Sequence, residues 1–321
     1  MAQLNLANPL TFEPIFMERI WGGRKLAQLF GKNLPSSVRI GESWEIVDRL
    51  EAQSTVRDGP LKGMTLNALW TNHRTEVFGE MGSPRRPLPD RFPLLIKLLD
   101  AEEKLSLQVH PPHEVAKTLG GEPKTEFWYV AAADPGAQLF VGLKESMTRE
   151  EFKRFLDDGT VADCVHKIPV KAGDAMFLPA GRFHAIGGGN VLVEIQQNSD
   201  TTYRVFDWNR VDEKQATRQL HVDEALQCID FNDAAPDLVR PKGEVLVTNE
   251  LFEVQKWDLK AAREVAPPGQ FAVVFCLTGG VSCAGITIGP GEFMLVPASL
   301  TDRLVDQLTS GTSILRVTIP R

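Results

Sequence analysis

Along most of this chain, apolar residues come in short runs cut off by Gly, Pro or Asp, and only a few stretches repeat at helical spacing. The runs PLLIKLL, KLSLQVH, TEFWYVAA, AQLFVGL, AMFLPA and NVLVEIQQ are rich in Val, Ile, Leu, Phe and Thr. So are VLVTN, FEVQKWDL, FAVVFCL, FMLVPA and SILRVTI, and many short strands with frequent turns predict a β-sandwich or barrel. Helices are predicted in few places. Residues 64–78 carry Leu66, Leu69 and Trp70 at helical spacing, and residues 113–119 have room for two turns. In SMTREEFKRFLDDG, Thr148 and Glu151 form a capping-box pattern, Phe152, Phe155 and Leu156 an apolar stripe, and Gly159 follows the end. Another short helix is predicted near 222–230. The segment NDAAPDLVRPKGE (232–244) reads as a linker. It divides the chain into residues 1–235, with helical insertions near 64–78 and 147–165, and a lobe over 243–321 in which nothing reads as a long helix.

The stretch KLSLQVHPPHE (104–114) breaks the apolar pattern with chemistry. In a strand, Leu107 and Val109 point one way and Gln108 and His110 the other. On a solvent face that pair means nothing. Inside a barrel, two buried polar groups need a partner, and a metal ion is one. Downstream, KTEFWYV puts Lys124 and Glu126 on a common face, and His184 follows a Pro-Ala-Gly turn. Two imidazoles, one carboxylate and one amide oxygen make a four-donor shell for a divalent ion, with net positive charge and room for a substrate oxygen. Each residue also has a plainer reading. A lone histidine is more often a hydrogen-bonded core residue, Glu126 pairs as well with Lys124, and Gln108 with backbone.

Composition narrows the class. The 321 residues are 43% hydrophobic and 24% charged, an ordinary globular balance. A net charge of -7 and a pI near 5.5 disfavour a nucleic-acid partner, so an anionic ligand needs a local basic pocket. The N-terminal stretch has no basic region ahead of an apolar core, and no run approaches a membrane span. Cys164, Cys228, Cys276 and Cys283 stand in no metal spacing, which suggests reduced, packed thiols. These features predict a soluble cytoplasmic protein with neither nucleic acid nor membrane as partner, a monomer or small homo-oligomer.

One internal echo connects the two halves. VKAGDAMFLPAGRFHAI (170–186) and TIGPGEFMLVPASLTDR (287–303) both contain Gly-(acid)-x-x-x-x-Pro-Ala, from Gly173 to Pro179 and from Gly291 to Pro297. A tight turn at Gly, a strand, and a proline that ends pairing would give that pattern. It resembles the second conserved motif of the cupin superfamily, G-x5-P-x-G-x2-H. The first copy fits through Gly181 and His184; the second has Ser299 and Asp302 there. The resemblance implies a mainly β chain of two cupin (double-sheet jelly-roll) barrels with helical insertions, the second degenerate and without metal.

A wider resemblance follows. KLLDAEEKLSLQVHPPHEVA, KTEFWYV, PAGRFHAIGGG and VEIQQNSDTTYRVFDWNR, in that order, resemble type I mannose-6-phosphate isomerases in their short bacterial form, as do WGGRKL (21–26) and GESWEIVD (41–48). The likeness covers most of residues 14–210 and continues weakly to the C-terminus. It implies one zinc ion per chain on Gln108, His110, Glu126 and His184, although other divalent ions suit the same donors. It implies a catalytic arginine at Arg204, whose fixed charge suits an enediolate. Glu194, Asp200 and Lys124 map to acid–base or substrate-positioning residues, and Ser106, Lys97 and Lys124 to phosphate or sugar contacts. PPHE departs from the family's usual acidic pair after His-Pro, which predicts a changed helix cap.

The implied reaction is aldose–ketose isomerisation of a small sugar phosphate, mannose 6-phosphate to fructose 6-phosphate, by proton transfer between C1 and C2. Two alternatives stay open on the sequence. A cupin dioxygenase would use similar ligands but has no need of Lys124 and Arg204. A non-catalytic sugar-phosphate-binding cupin would be expected to lack a ligand or Arg204, and none is missing. Arg204 also has a structural reading, an ion pair with Asp200 or Asp207. Lys97, a charge inside an apolar run, is either a pocket cation or a snorkelling strand residue. GGGN (187–190) reads as a turn rather than a phosphate loop.

Overall fold

A computed structural model describes residues 6–81, 88–211 and 217–320. In chain order the strands are β1 (Ile15–Gly23), β2 (Ile40–Ile46), β3 (Leu94–Ala101), β4 (Leu107–Val109), β5 (Glu126–Ala133) and β6 (Gln138–Leu143). They continue with β7 (Val165–Pro169), β8 (Ala175–Leu178), β9 (His184–Ile186), β10 (Asn190–Gln197) and β11 (Tyr203–Phe206). Beyond the linker come β12 (Val245–Thr248), β13 (Glu253–Asp258), β14 (Arg263–Glu264), β15 (Ala272–Thr278) and β16 (Val281–Cys283). The last four are β17 (Ile286–Ile288), β18 (Phe293–Val296), β19 (Leu304–Gln307) and β20 (Ser313–Thr318). The helices are α1 (Lys25–Phe30), α2 (Leu66–Asn72), α3 (Arg74–Phe78), α4 (His113–Ala116), α5 (Arg149–Asp157) and α6 (Val222–Cys228).

The strands form two sandwiches. A sheet ordered β1-β2-β3-β10-β5-β8 packs on one ordered β11-β4-β9-β6-β7. A sheet ordered β12-β13-β20-β15-β18 packs on one ordered β14-β19-β16-β17. The order β3-β10-β5-β8 recurs as β13-β20-β15-β18, and β4-β9-β6-β7 recurs as β14-β19-β16-β17. The chain is therefore mainly β, with the double-sheet cupin plan used twice. The sequence echo marks equivalent places in the two copies. Gly173 and Gly291 both take positive φ, 94° and 84°, in the turns before β8 and β18.

Strand alternation explains the apolar runs. In β3, Leu94, Ile96 and Leu98 face one core while Lys97 and Leu99 face the interior of the first sandwich. Both faces are buried, so PLLIKLL reads as continuous apolar sequence with one charge in it. The outward face of this sheet does not meet water. Ile96, Phe127, Val193 and Ile195 share a core with Val273, Phe275, Leu315 and Val317, which come from the second sandwich. Helices α2 and α3 cover one side of that core, where Phe78 meets Phe271 at 5.4 Å between ring centroids. Each large apolar side chain fully buried there contributes about 1.5–3 kcal/mol relative to exposure, so the two sandwiches stabilise each other.

All eleven apolar runs form strands, and the predicted helices form with altered limits. The 64–78 helix is two helices, broken at His73, whose φ of -134° leaves the helical region. Residues 113–119 give the single turn α4, with Pro112 at its N-cap. The Thr148–Glu151 capping box is complete. Strands β1, β2, β7, β9, β11, β14, β16, β17 and β19 were not among the apolar runs; most are two to five residues long or mix polar residues with apolar ones. β1 and β2 carry a backbone constraint instead. A Cβ on Gly22 would lie 2.3 Å from the Gly41 backbone N, so WGG and GES cross where neither strand has room for a side chain. Gly188 and Gly189 form the turn between β9 and β10. The four cysteines are buried and unpaired, and burial pushes their thiols up to about 12.

Among the described residues, the second sandwich lacks the first one's His–Glu–His cluster, as strand register shows. Glu126 pairs with Leu178, and Ala272 with the equivalent Val296. Counting along the same ladders, Val274 stands at the place of Trp128, Arg316 at Glu194 and Gln255 at Lys97. Asp302 is exposed and its carboxylate accepts from Leu304 N at 3.4 Å. We expect Asp302→Ala to leave metal stoichiometry and kcat unchanged. A chain ended near residue 240 should be insoluble, because the back of the first large sheet becomes surface; a soluble, fully active truncation would contradict this.

Asp100, at the end of β3, gives a pH prediction. It is fully buried, its Oδ2 accepts from Lys25 N at 2.6 Å, and its Oδ1 has no hydrogen-bond partner among the described residues. Burial raises its pKa to about 6 from an ordinary 3.8. The folded state thus binds a proton more tightly than the unfolded chain. This group's contribution is fully present below about pH 4 and is lost as pH rises through 6, a swing of about 3 kcal/mol. The stability of the natural chain minus that of Asp100→Asn should fall between pH 4 and 7 in denaturant titrations. A pH-independent difference would rule the effect out.

Candidate metal centre and active-site pocket

Two rows of side chains face one another inside the first sandwich. On one sheet, Arg204 of β11 pairs with Gln108 of β4, and Gln108 with His184 of β9. On the other, Lys97 of β3 pairs with Glu194 of β10, and Glu194 with Trp128 of β5. Glu126 lies two residues before Trp128 on the same face. Cross-strand neighbours on one face stand within side-chain reach, so the ladders bring distant segments to one place.

The deepest cluster is His110, Glu126 and His184, all buried, with candidate donor atoms within 4.8 Å of one another. Glu126 Oε2 is 3.5 Å from His110 Nε2 and 3.3 Å from Lys124 Nζ, and Glu126 Oε1 is 3.3 Å from His184 Nε2. Each imidazole is oriented by backbone. His110 Nδ1 donates to Thr201 O at 2.8 Å, and His184 Nδ1 to Arg182 O at 2.8 Å, which leaves both Nε2 lone pairs facing Glu126. His110 Nε2 and both Glu126 carboxylate oxygens are buried without a hydrogen-bond partner among the described residues. Three converging buried acceptors, with only the Lys124 ammonium near one of them, are costly unless a further cation lies between them.

The spacing fits one. Tetrahedral ligands at about 2.0–2.1 Å from zinc stand about 3.3–3.4 Å apart; here the two imidazoles lie 3.5 and 3.3 Å from the two Glu126 oxygens, and the candidate donors lie within 4.8 Å of one another. Gln108 stands beside the cluster: its amide nitrogen lies 3.4 Å from His184 Nε2, and its Oε1 accepts from Ser106 Oγ at 3.2 Å. The two ends of an amide are interchangeable by rotation, so the oxygen can face the cluster while the NH2 keeps Ser106. Electrostatics agree. Burial lowers the His110 pKa to about 3, with help from Lys124, and burial lowers His184 as well, so both imidazoles are neutral ligands at pH 7. Burial works against the Glu126 carboxylate, but its pKa is held well below the usual range, chiefly by the Lys124 ammonium beside it.

Above the cluster opens a pocket of about 480 Å³, reached by Gln108, Lys124, Trp128, Glu194, Asp200 and Arg204. Lys97 points into it rather than snorkelling. It lies 2.9 Å from Glu194 Oε1 and 3.9 Å from Glu42, which outweigh burial and raise its pKa. Glu194 Oε2 accepts from Trp128 Nε1 at 2.8 Å, and the Trp128 ring lies edge-on to His184 at 5.4 Å. Burial raises the Glu194 pKa despite Lys97. Asp200 is exposed at the pocket surface. Arg204 makes no ion pair among the described residues; its Nε donates to Ser106 Oγ at 3.1 Å and its Nη1 to Gln219 O at 3.0 Å.

All ten residues singled out from sequence, Gln108, His110, Glu126, His184, Arg204, Glu194, Lys124, Asp200, Ser106 and Lys97, lie in or beneath this one pocket. Sequence reasoning missed Arg19, Glu42 and Arg218. Glu42 accepts from Arg19 at 2.9 Å and from Trp44 Nε1 at 2.8 Å. The i, i+2 pair in GESWE was a signal for Glu42; Arg19 and Arg218 left none.

Comparison with known proteins agrees with this geometry. Residues 10–137 match the family description "Phosphomannose isomerase type I, catalytic domain". Over 306 residues the chain is 37% identical to "Mannose-6-phosphate isomerase ManA" of Bacillus subtilis (strain 168), covering 91% of this chain and 94% of that one. This chain belongs to the type I phosphomannose isomerase family. A crystal structure of the mannose 6-phosphate isomerase from Bacillus subtilis superposes with a TM-score of 0.84 at 32% identity, covering 97% of this chain and 100% of that one. A mannose 6-phosphate isomerase structure bound with zinc and yttrium shares the fold at a TM-score of 0.73 and 17% identity, covering 98% and 100%. No helix among the described residues is long and apolar enough to cross a membrane.

The family's chemistry and this donor set point the same way. His110→Ala or His184→Ala should empty the metal site, taking the purified chain from one divalent ion to none by elemental analysis. Retention of a full equivalent by either variant would show that the cluster is not the site.

Proposed function

We propose that this chain is a zinc-dependent mannose-6-phosphate isomerase, interconverting mannose 6-phosphate and fructose 6-phosphate in the cytoplasm. The observation behind this reading is the buried His110–Glu126–His184 cluster with unsatisfied acceptors, placed beneath a pocket that holds an uncompensated guanidinium. Family membership supplies the substrate. A dioxygenase gains nothing from Lys97, Lys124 and Arg204 in one pocket.

Gln108, His110, Glu126 and His184 would hold the ion, which would supply Lewis-acid charge for the isomerisation. The protein's own residues do the rest. Glu194 accepts the C2 proton of the open-chain aldose and returns it to C1, while a hydroxyl proton passes from O2 to O1. Its raised pKa brings it closer to neutrality, where a carboxylate is a more effective base. Trp128 and Lys97 fix its two oxygens, so the carboxylate does not swing during the transfer. Arg204 stabilises the enediolate with a charge already in place before the reaction. Lys97 and Lys124 are matched by Glu194 and Glu126, which suits them to sugar hydroxyls and oxygens. Ser106 links Arg204 to Gln108, so the guanidinium and the metal ligand keep a fixed relation. Asp200, exposed in the pocket, orients substrate hydroxyls.

The direct test is a coupled assay for both directions of the reaction, with metal content measured on the same sample. Full turnover in a verified metal-free preparation would defeat the proposal. Arg204→Ala should lower kcat by roughly 100-fold or more, the scale of removing one preorganised donor, while metal content and thermal stability hold. Arg204→Lys should recover little, because a point charge lacks the planar fork. An Arg204→Ala enzyme that loses only substrate affinity would move Arg204 from chemistry to binding.

A further inference from the structure

Not every cation of the pocket is matched by a carboxylate. On the inner side, Lys97 has Glu194 and Glu42, Lys124 has Glu126, and Arg19 has Glu42. Around Arg204 the balance changes, because three guanidiniums, Arg204, Arg210 and Arg218, gather near one carboxylate, Asp207. Asp207 is buried and accepts from Arg218 Nε at 2.7 Å and from Arg218 Nη2 at 2.5 Å. It also accepts from Arg210, which is anchored on the Lys104 carbonyl. Burial works against the Asp207 carboxylate, but Arg218 and Arg210 outweigh it and lower its pKa.

Arg210 does not reach the pocket, whereas Arg204 and Arg218 both line it. Asp207 is thus shared between Arg218, which grips both its oxygens, and Arg210, which meets one of them. Two positive charges then stand in the pocket wall, close enough that burial and the Arg218 guanidinium together depress the Arg204 pKa. Such a cluster is self-repelling and favours a dianion. Their order along the pocket also matters. From the metal cluster, contacts run His184 to Gln108 to Ser106 to Arg204, then through Gln219 to the neighbouring Arg218. The phosphate of a hexose 6-phosphate is at the opposite end of the molecule from its reacting carbons.

We propose that Arg218, oriented in a two-point grip by Asp207, binds the phosphate of the substrate, with Arg204 between it and the metal centre. This rests on the sugar-phosphate reading above. It moves phosphate recognition away from Lys97 and Lys124, whose charges are already met. A guanidinium fixed on one edge by a carboxylate presents its remaining N–H groups at a set angle, which suits phosphate oxygens.

The test uses the metal-loaded full chain, with steady-state kinetics on mannose 6-phosphate and competitive inhibition by inorganic phosphate. Arg218→Ala should raise KM by roughly 10- to 100-fold, the scale of one charge-assisted contact. The inhibition constant for inorganic phosphate should rise in parallel while kcat holds, the mark of lost uniform binding. Arg218→Lys keeps the charge without the fork and should fall between. It also serves if the alanine variant does not fold, as judged by thermal stability and metal content. An unchanged KM and phosphate inhibition constant, or a fall in kcat at constant KM, would overturn the assignment. If the natural chain turned over neither sugar phosphate, the functional reading would fail separately, and calorimetric titration with inorganic phosphate would still decide whether Arg218 binds it.

Discussion

The ionised Glu126 carboxylate, shut off from water between two neutral imidazoles and the Lys124 ammonium, sets the terms for the rest of the molecule. A buried carboxylate is tolerated only where charges compensate it, and here Lys124 alone cannot satisfy both oxygens. The backbone bonds that turn His110 and His184 serve this carboxylate, because they fix which nitrogen faces inward. A divalent ion completes the arrangement. Without it, three acceptors point at one another.

Holding such a cluster demands a rigid frame, and the two-sheet plan supplies it through register. Gln108 stands between Arg204 and His184, and Glu194 between Lys97 and Trp128, because hydrogen-bonded ladders place them there. A one-residue slip in either sheet would turn the polar row into the apolar core behind it. That core is shared with the second sandwich, so Phe127, Val193 and Ile195 are anchored by Val273, Phe275 and Leu315. The second copy of the fold keeps the strand order and the turn glycines. At the places of Glu126 and Trp128 it has Ala272 and Val274, so its interior is packed where the first one's is reactive.

Charge in the pocket is graded from the metal outward. Near the metal, lysines and carboxylates are matched, which keeps Lys97 and Glu194 fixed by each other. Farther out, Arg204 and Arg218 exceed their carboxylate partners, and Asp207 is shared with Arg210. Under the proposed function, such a gradient would orient an anionic substrate before any bond changes, with its phosphate at the arginines. The negative net charge of the whole chain does not oppose this, since surface charges beyond a Debye length of about 8 Å are screened.

The sequence by itself determined a good deal. Buried strands announced themselves as apolar runs, because a strand covered on both faces has no polar side to alternate. The capping box at Thr148 and Glu151 was legible because its bonds are local. Gln108, His110, Glu126 and His184 were singled out by the resemblance of ordered motifs to a known family, with shared strand faces and a Pro-Ala-Gly turn as local support. What the sequence left open were pairings between strands distant along the chain. Whether Lys97 snorkels or meets Glu194, whether Arg204 makes an ion pair with Asp207, and that Arg218 lies beside it, all depend on strand register and tertiary packing. Short strands such as β9 and β14 carry too few residues for a periodic signal, so their place, too, was set only by the ladders they join. Local hydrogen bonds and patterning leave a trace in adjacent residues; register between distant strands leaves none, and it was register that assembled the site.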